Sequence, residues 1–275
     1  MGLRIKTNIA SQMVQRNLKN TSNQESDDLE RLSSGKRITK AADDAAGQAV
    51  AANLSTQARS GKQAIRNSND GVSVIQTAEA ASKEVVNILD RMRELAVQSS
   101  SETLANAERD YINDEFDELS NEIERIAQAT EFNDISLANG DKTSLTVQVG
   151  VTSGTESEID ITLGDLSTSN LSVQTTDVDL TLASSAQTAI DTIDTAIDSV
   201  NSIRASYGAT QNRLDSAMSN MSTYVESLTG AASQIMDADY AHETAEMTRL
   251  QVMQQAGVAA LGQAKGINQS VLSLL

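Results

Sequence analysis

Cysteine, proline and tryptophan are absent from this 275-residue chain. Without cysteine there is no disulfide, no thiolate nucleophile and no cysteine-based zinc site, and the redox compartment is unreadable. Without proline the commonest helix breaker is missing. Aromatic residues make up 2%, so the large side chains that fill thick cores are scarce. There is one histidine, His242. It can be drawn as a metal site with Asp237, Asp239 and Glu243, but acidic residues at a helix start more commonly cap the helix. No serine sits in a nucleophile elbow, and no Gly-rich phosphate loop is present. The sequence therefore predicts no enzyme and no cofactor. No apolar run approaches the roughly 20 residues of a membrane span, so no membrane insertion is expected. The start, Met1 to Asn8, lacks the apolar stretch of a secretory signal, so export, if it occurs, takes another route.

Charge is plentiful and uneven. The net charge is -17. Residues 1 to 40 hold eight basic and four acidic side chains, whereas residues 101 to 165 hold sixteen acidic and three basic. An acidic middle argues against nucleic acid. The basic start is spread along a helix rather than clustered, which reads as a solvated face.

What the chain has is helical seams. Leu250, Met253, Gly257, Ala260, Ala264, Ile267, Val271 and Leu274 alternate spacings of three and four, the period of a helix packed along one narrow stripe. A second row, Val252, Ala256, Ala259 and Gln263, widens it. Leu3, Ile5, Ile9, Met13, Val14 and Leu18 form a matching thin stripe, with Gly35 as its C-terminal stop. Neither stripe buries alone, so the two chain ends are expected to pair. Residues 36 to 70 read as a connector, with a new helix capped by Asp43 or Asp44 through Ala49, Leu54 and Ala58.

Inner seams follow. Ile75, Ala78, Ser82, Val85, Leu89, Met92, Ala96 and Ser99 predict a helix over about 70–99. Ile112, Phe116, Leu119, Ile123 and Ile126 predict another over 104–130. Leu145, Val147 and Val149, then Ile159, Ile161 and Leu163, alternate with period two and predict a hairpin. Leu171, Val173, Val178 and Leu180 suggest a further extended segment. Ala186 to Leu228 keeps the helical alternation for 43 residues, or about 65 Å at 1.5 Å per residue, and Gly230 marks a break. Arg204 and Gln211 interrupt that seam and read as register-setting or snorkelling side chains. Met92, Met218, Met221 and Met253 read as core filler. The fold expected is mostly α: a long coiled-coil-like helical rod with one small β-hairpin and paired terminal helices.

Several strings then resemble the bacterial flagellin family. They are Arg91-Met92-Arg93-Glu94-Leu95-Ala96-Val97-Gln98, Glu122-Ile123-Glu124-Arg125-Ile126-Ala127, and Thr130-Glu131-Phe132-Asn133. Gly2-Leu3-Arg4-Ile5, Ser33 to Ile38, Asp239-Tyr240-Ala241, Gln254-Gln255-Ala256-Gly257 and Val271 to Leu275 resemble its terminal regions. Asp134 stands where the family usually has Gly, and Gln234 where it often has Arg. The resemblance covers nearly the whole chain and implies a short flagellin without large outer domains. It implies terminal helices of an inner tube at 1–40 and 231–275, halves of a helical rod at 41–138 and 182–230, and a hairpin segment at 139–181.

The function so implied is a structural subunit that assembles into the secreted, extracellular flagellar filament for swimming. Implied partners are other subunits in a helical homopolymer, the flagellar export apparatus with its C-terminal-binding chaperone, and the filament cap and hook-junction proteins. A host Toll-like receptor is a further one, through a surface similar to Arg91, Leu95 and Glu115; subunit contact is the alternative role of those three. Leu3, Ile5, Ile9, Leu18, Leu250, Met253, Gly257, Ala260, Ala264, Ile267, Val271 and Leu274 are the expected polymerisation seam. Heterologous contacts that do not close give filaments. Residues 1 to 40 and 235 to 275 are expected to order on assembly, because thin stripes set against about 1–2 kcal/mol of backbone entropy per residue leave little margin. A hook-filament junction protein and a non-polymerising coiled-coil module are the competing readings.

Overall fold

A computed structural model describes residues 8–272, with side chains described over 8–264. Leu3, Ile5 and Leu274 lie outside the described residues, as do the side chains of Ile267 and Val271.

Helix α1 (Ile9–Ser34) starts where the Asn8 side chain accepts a hydrogen bond from the Ser11 N–H. It ends at Gly35, whose φ of 68° is the left-handed region that glycine enters without strain. The polar stretch from Asn20 to Ser26 stays helical within it.

Helix α2 (Ala45–Ser99) corrects the expected connector over 36–70. Asp44, rather than Asp43, holds the new N-terminus: its Oδ1 accepts from Gly47 N at 2.8 Å. Asp43 instead gathers Thr39 N and Lys40 N, each at 3.0 Å, in the preceding turn. The helix is unbroken because small residues carry its seam. Ala58, Gly61, Ala64, Ser68 and Gly71 are buried in the same stripe that continues through Ile75, Ala78, Ser82, Val85, Leu89, Met92, Ala96 and Ser99. Reading only large apolar side chains hides the first half of that row.

Helix α3 (Asn106–Ala129) follows a turn at Ser100–Ala105. Strands β1 (Glu131–Phe132) and β2 (Ile135–Ser136) pair antiparallel, a second hairpin that the period-two pattern is too short to reveal. Asn133 (φ 50°) and Asp134 (φ 61°) form its two-residue turn, so Asp134 takes up left-handed backbone where glycine is the easier choice. Strands β3 (Ser144–Gln148) and β4 (Glu158–Thr162) form the expected hairpin, with Leu145 opposite Ile161 and Val147 opposite Ile159.

Leu171, Val173, Val178 and Leu180 are all buried, but not in a strand. Leu171 closes the one-turn helix α4 (Thr168–Leu171), Ser172 turns left-handed, and Gln174–Asp177 turns again. The step of five positions from Val173 to Val178 already breaks period two.

Helix α5 (Ala183–Met236) runs through Gly230, which therefore marks no break. A mid-helix glycine costs only about 1 kcal/mol relative to alanine, and no proline follows to enforce a stop. Helix α6 (Tyr240–Leu272) begins after Asp239, whose carboxylate accepts from Ala241 N at 2.9 Å and His242 N at 3.3 Å. Asp239 is thus a helix cap.

Contacts divide the chain into two compact units, Met1–Gln57 with Glu226–Leu275, and Ala58–Val225. In the second unit, one cluster joins Leu89, Met92, Phe116, Ile123, Leu180 and Ile193. Another joins Ile75, Leu137, Val147, Ile161, Tyr207 and Leu214 around the larger hairpin. The first unit is thin: its buried apolar side chains among the described residues are Ile38, Ala51, Leu228, Leu250 and Ala264.

Candidate assembly surface

The first unit is held by an antiparallel pair, α1 with α6. Asn8 Nδ2 donates to Ala264 O at 3.0 Å near one end, and Tyr240 Oη donates to Leu32 O at 2.7 Å near the other. Between them Gly257 admits Leu18, whose Cδ1 lies 2.9 Å from where a glycine-replacing Cβ would stand. Strand-like contacts tie the base of the pair: Arg37 N donates to Met236 O at 2.7 Å, and Ala238 N to Gly35 O at 3.0 Å. Arg37 Nη2 also donates to Ile235 O at 2.7 Å.

The expected seam residues divide. Leu250, 1% exposed, and Ala264, 9% exposed, are closed inside this pair. Leu18 and Gly257 meet there too. In the single subunit Leu250 and Ala264 thus belong to the interior of the pair that the two chain ends were expected to form. Ile9, Met253 and Ala260 remain exposed. Beside them stand Met13, Leu29, Val252 at 61% and Val258 at 57%, also exposed. The reason is arithmetic: two helices pairing alone cover one narrow stripe each, and α6 carries apolar side chains around more of its circumference than one partner can hide.

In the second unit, Arg91 donates to Glu115 Oε1 from Nε at 3.0 Å and from Nη2 at 2.7 Å, and to Glu94 at 2.9 Å. Those bonds hold the Arg91 guanidinium above its ordinary pKa, Glu115 contributing most. Leu95 is 1% exposed and packs in the core with Met92 and Phe116. The one-turn offset from Arg91 to Leu95 thus spans from surface to interior, and Leu95 is corrected from a surface residue to a core one. Arg91 and Glu115 are brought together as an ion pair at 2.7 Å.

Polar anchors that the sequence pattern missed fix the joints. Arg109, buried at the head of α3, donates from Nε to Ser99 O at 3.0 Å and from Nη2 to Ser101 O at 2.7 Å. Ser99 Oγ donates to Leu180 O at 2.5 Å, and Ser120 Oγ to Val173 O at 2.7 Å. Glu124 accepts from Thr168 N at 3.0 Å and Thr168 Oγ1 at 2.9 Å, which lowers its carboxyl pKa, the backbone bond contributing most. Gly164 N donates to the buried Tyr207 hydroxyl at 3.0 Å. Arg204 Nη2 stands 3.7 Å from a Glu79 carboxylate oxygen, while its Nε is buried without a hydrogen-bond partner. A polar residue at a seam position is the available signal for these anchors, as with Ser99.

An open groove of about 640 Å³ is lined by Gly71, Val74, Phe132, Ile135, Leu145 and Val147, with Asp70 as the one ionisable side chain of its wall. It brings together no nucleophile and base. Among the described residues, no group of three or more His, Cys, Asp or Glu side chains is placed to hold a metal, and no helix is long and apolar enough to cross a membrane.

Comparison with known proteins bears on this arrangement. The bacterial flagellin N-terminal helical region matches residues 5–143, and the bacterial flagellin C-terminal helical region matches residues 190–275. A flagellin of Halalkalibacterium halodurans is 44% identical over 98% of this chain and 99% of its own. Polar flagellin C of Vibrio parahaemolyticus is 31% identical over the full length of both. The crystal structure of Bacillus cereus flagellin is similar at 32% identity over 57% of this chain and 88% of that one, with a TM-score of 0.49.

Proposed function

This chain belongs to the bacterial flagellin family and is a structural subunit of the flagellar filament; on that footing we propose that α1 and α6 carry its assembly contacts. The observation that carries the proposal is the exposed apolar row of Ile9, Met13, Val252, Met253 and Val258 around a pair whose own interior is already filled. Neighbouring copies bury that row. Leu250 and Ala264 act indirectly, by setting the α1/α6 pair that presents it. The ends expected at 1–40 and 231–275 thereby form the inner part of the filament, and the residues between form its shell. Repeated head-to-tail use of unlike surfaces gives an open helical polymer.

The test is seeded elongation followed by electron microscopy. Val252→Asp together with Val258→Asp puts two charges on the open row and leaves Leu250 and Ala264 untouched. The variant is expected to keep the helicity and melting of the parent subunit while filament growth is lost. Filaments at the parent rate would refute the assignment.

The chain works as a scaffold without catalysis. Its single His242 is exposed on α6, and the groove beside Phe132 holds one carboxylate. Export proceeds through the flagellar apparatus with a chaperone on the C-terminal segment, and the filament lies outside the cell together with its cap and hook-junction proteins. The thin first unit supports this, because little buried area has to be given up for transit. Recognition by a host Toll-like receptor, where it occurs, uses Arg91 and Glu115 as one ion-paired surface with Leu95 beneath it as support. A receptor reporter assay with Arg91→Ala is expected to lose response, and Leu95→Ala to lose it only where the subunit is also destabilised.

A further inference from the structure

The α1/α6 pair buries two carboxylates where a thin helical seam would ordinarily carry apolar side chains. Asp28 of α1 is 6% exposed and Glu243 of α6 is 5% exposed. One cation stands between them: Arg31 Nη1 lies 3.9 Å from Asp28 Oδ1 and 3.9 Å from Glu243 Oε1. Both distances exceed hydrogen-bond reach. The second oxygen of each carboxylate, Asp28 Oδ2 and Glu243 Oε2, is buried without a hydrogen-bond partner. The cluster therefore holds two negative charges against one positive, and two of its buried acceptor oxygens have no donor.

We infer that closing the α1/α6 pair takes up a proton at the Asp28–Glu243 site, so that pairing of the two chain ends is linked to pH. A proton on one carboxyl removes the uncompensated charge, turns one orphan acceptor into a donor, and leaves a single carboxylate for Arg31. No other atom moves: the proton comes from solvent when the pair closes and returns to it when the pair opens.

The charged surroundings agree. Asp28 is pushed above the ordinary aspartate range, first by burial and then by Glu243; Arg31 opposes the shift, and Glu246 of α6 and Asp27 of α1 add to it. The Glu246 carboxylate is itself held by Arg249, with a smaller effect from His242, and Arg249 senses Asp28 in turn. Asp27 is met by Lys40 at 3.2 Å. Each of these neighbours has a partner, whereas Asp28 and Glu243 share Arg31. A carboxyl whose pKa is higher in the closed pair than in the open one favours closure below its ordinary range, and that advantage is lost as pH rises through the raised value. The pair is thus tighter in acid than at neutral or alkaline pH.

The absence of cysteine allows a clean test. Asn23→Cys and Gln251→Cys place spin labels on exposed positions of α1 and α6 in the full chain. Pulsed electron paramagnetic resonance reads the short-distance, paired population at pH 5 and pH 8, in free subunits. The labelled parent is expected to lose paired population at pH 8, and Asp28→Asn in the same background to hold it level. Glu243→Gln, which leaves Asp28 in place, is expected to show a smaller loss than the parent. Equal loss in parent and both variants, no loss in the parent, or no paired population at either pH overturns the inference. Because the labels report within one chain, failure of filaments to grow counts against the assembly reading and not against this one.

Discussion

At the scale of single residues, the joints depend on polar side chains that would be liabilities elsewhere. Arg109 closes two carbonyls of the α2–α3 turn, Ser99 O in the interior and Ser101 O nearer the surface. Arg109→Met keeps the aliphatic stem but strands Ser99 O; a loss of about 1–3 kcal/mol is expected in urea unfolding, as for a buried acceptor left without a donor. Glu124 holds the first turn of α4 through Thr168. Its carboxyl titrates below the ordinary glutamate range in the folded chain, so its contribution is present above that range and lost as pH falls through the lowered value. Glu124→Gln is expected to lower stability by about 1 kcal/mol at pH 7 and to converge with the parent in acid, measured by thermal melts at both pH values. Gly164 is a packing requirement: a Cβ there would stand 2.5 Å from Ile203 Cγ2. Gly164→Ala is expected to cost about 1–3 kcal/mol, the ordinary range for overpacking, by the same melts.

At the scale of elements, the helices differ in how completely their faces are used. The α2 stripe is filled from Ala58 to Ser99 by small residues near Gly61 and Gly71 and by larger ones from Ile75 onward. A Cβ at Gly61 would stand 2.5 Å from Val225 Cγ2 of α5, which shows how near the two helices come within the second unit. The α6 helix is the opposite case, with one stripe closed on α1 and Val252 and Val258 left in solvent. Gly257 is the point of closest approach to Leu18. Because the blocking atom is the end of a flexible leucine, Gly257→Ala is expected to be tolerated. Gly257→Trp is expected to spread the pair and stop elongation without changing the melt of the second unit, as read by seeded growth and circular dichroism.

For the whole molecule, stability and assembly reside in different units. The second unit has two apolar clusters with Phe116, Tyr207, Ile123 and Ile161 fully or almost fully buried. The first has few buried apolar side chains, and its helices approach marginal stability on their own. Removing residues 1–40 and 235–275 is therefore expected to leave a soluble, cooperatively melting 41–234 fragment that adds to no filament, checked by calorimetry and electron microscopy. The net charge of -17 keeps such subunits apart in solution until a specific contact forms.

Much of this was legible in the chain itself, because spacing is a local property. The seams of α3, α5 and α6, the hairpin of β3 with β4, the stop at Gly35 and the family strings all follow from residues read in order. The flat alternation at Leu145–Val149 and Ile159–Leu163 implied a hairpin by the same logic, and the folded chain set its register, with Leu145 opposite Ile161. Only tertiary structure decided which side of a seam is inside. Leu250 and Val252 lie two residues apart on one apolar helix, yet α1 covers the first and leaves the second open. It also decided that α2 and α5 run past weak stretches at residues 45–70 and at Gly230, since neighbouring helices stabilise segments that propensity leaves undecided. The burial of Asp28 against Glu243 arises the same way: the two are 215 positions apart, and only chain closure brings their charges into one desolvated place.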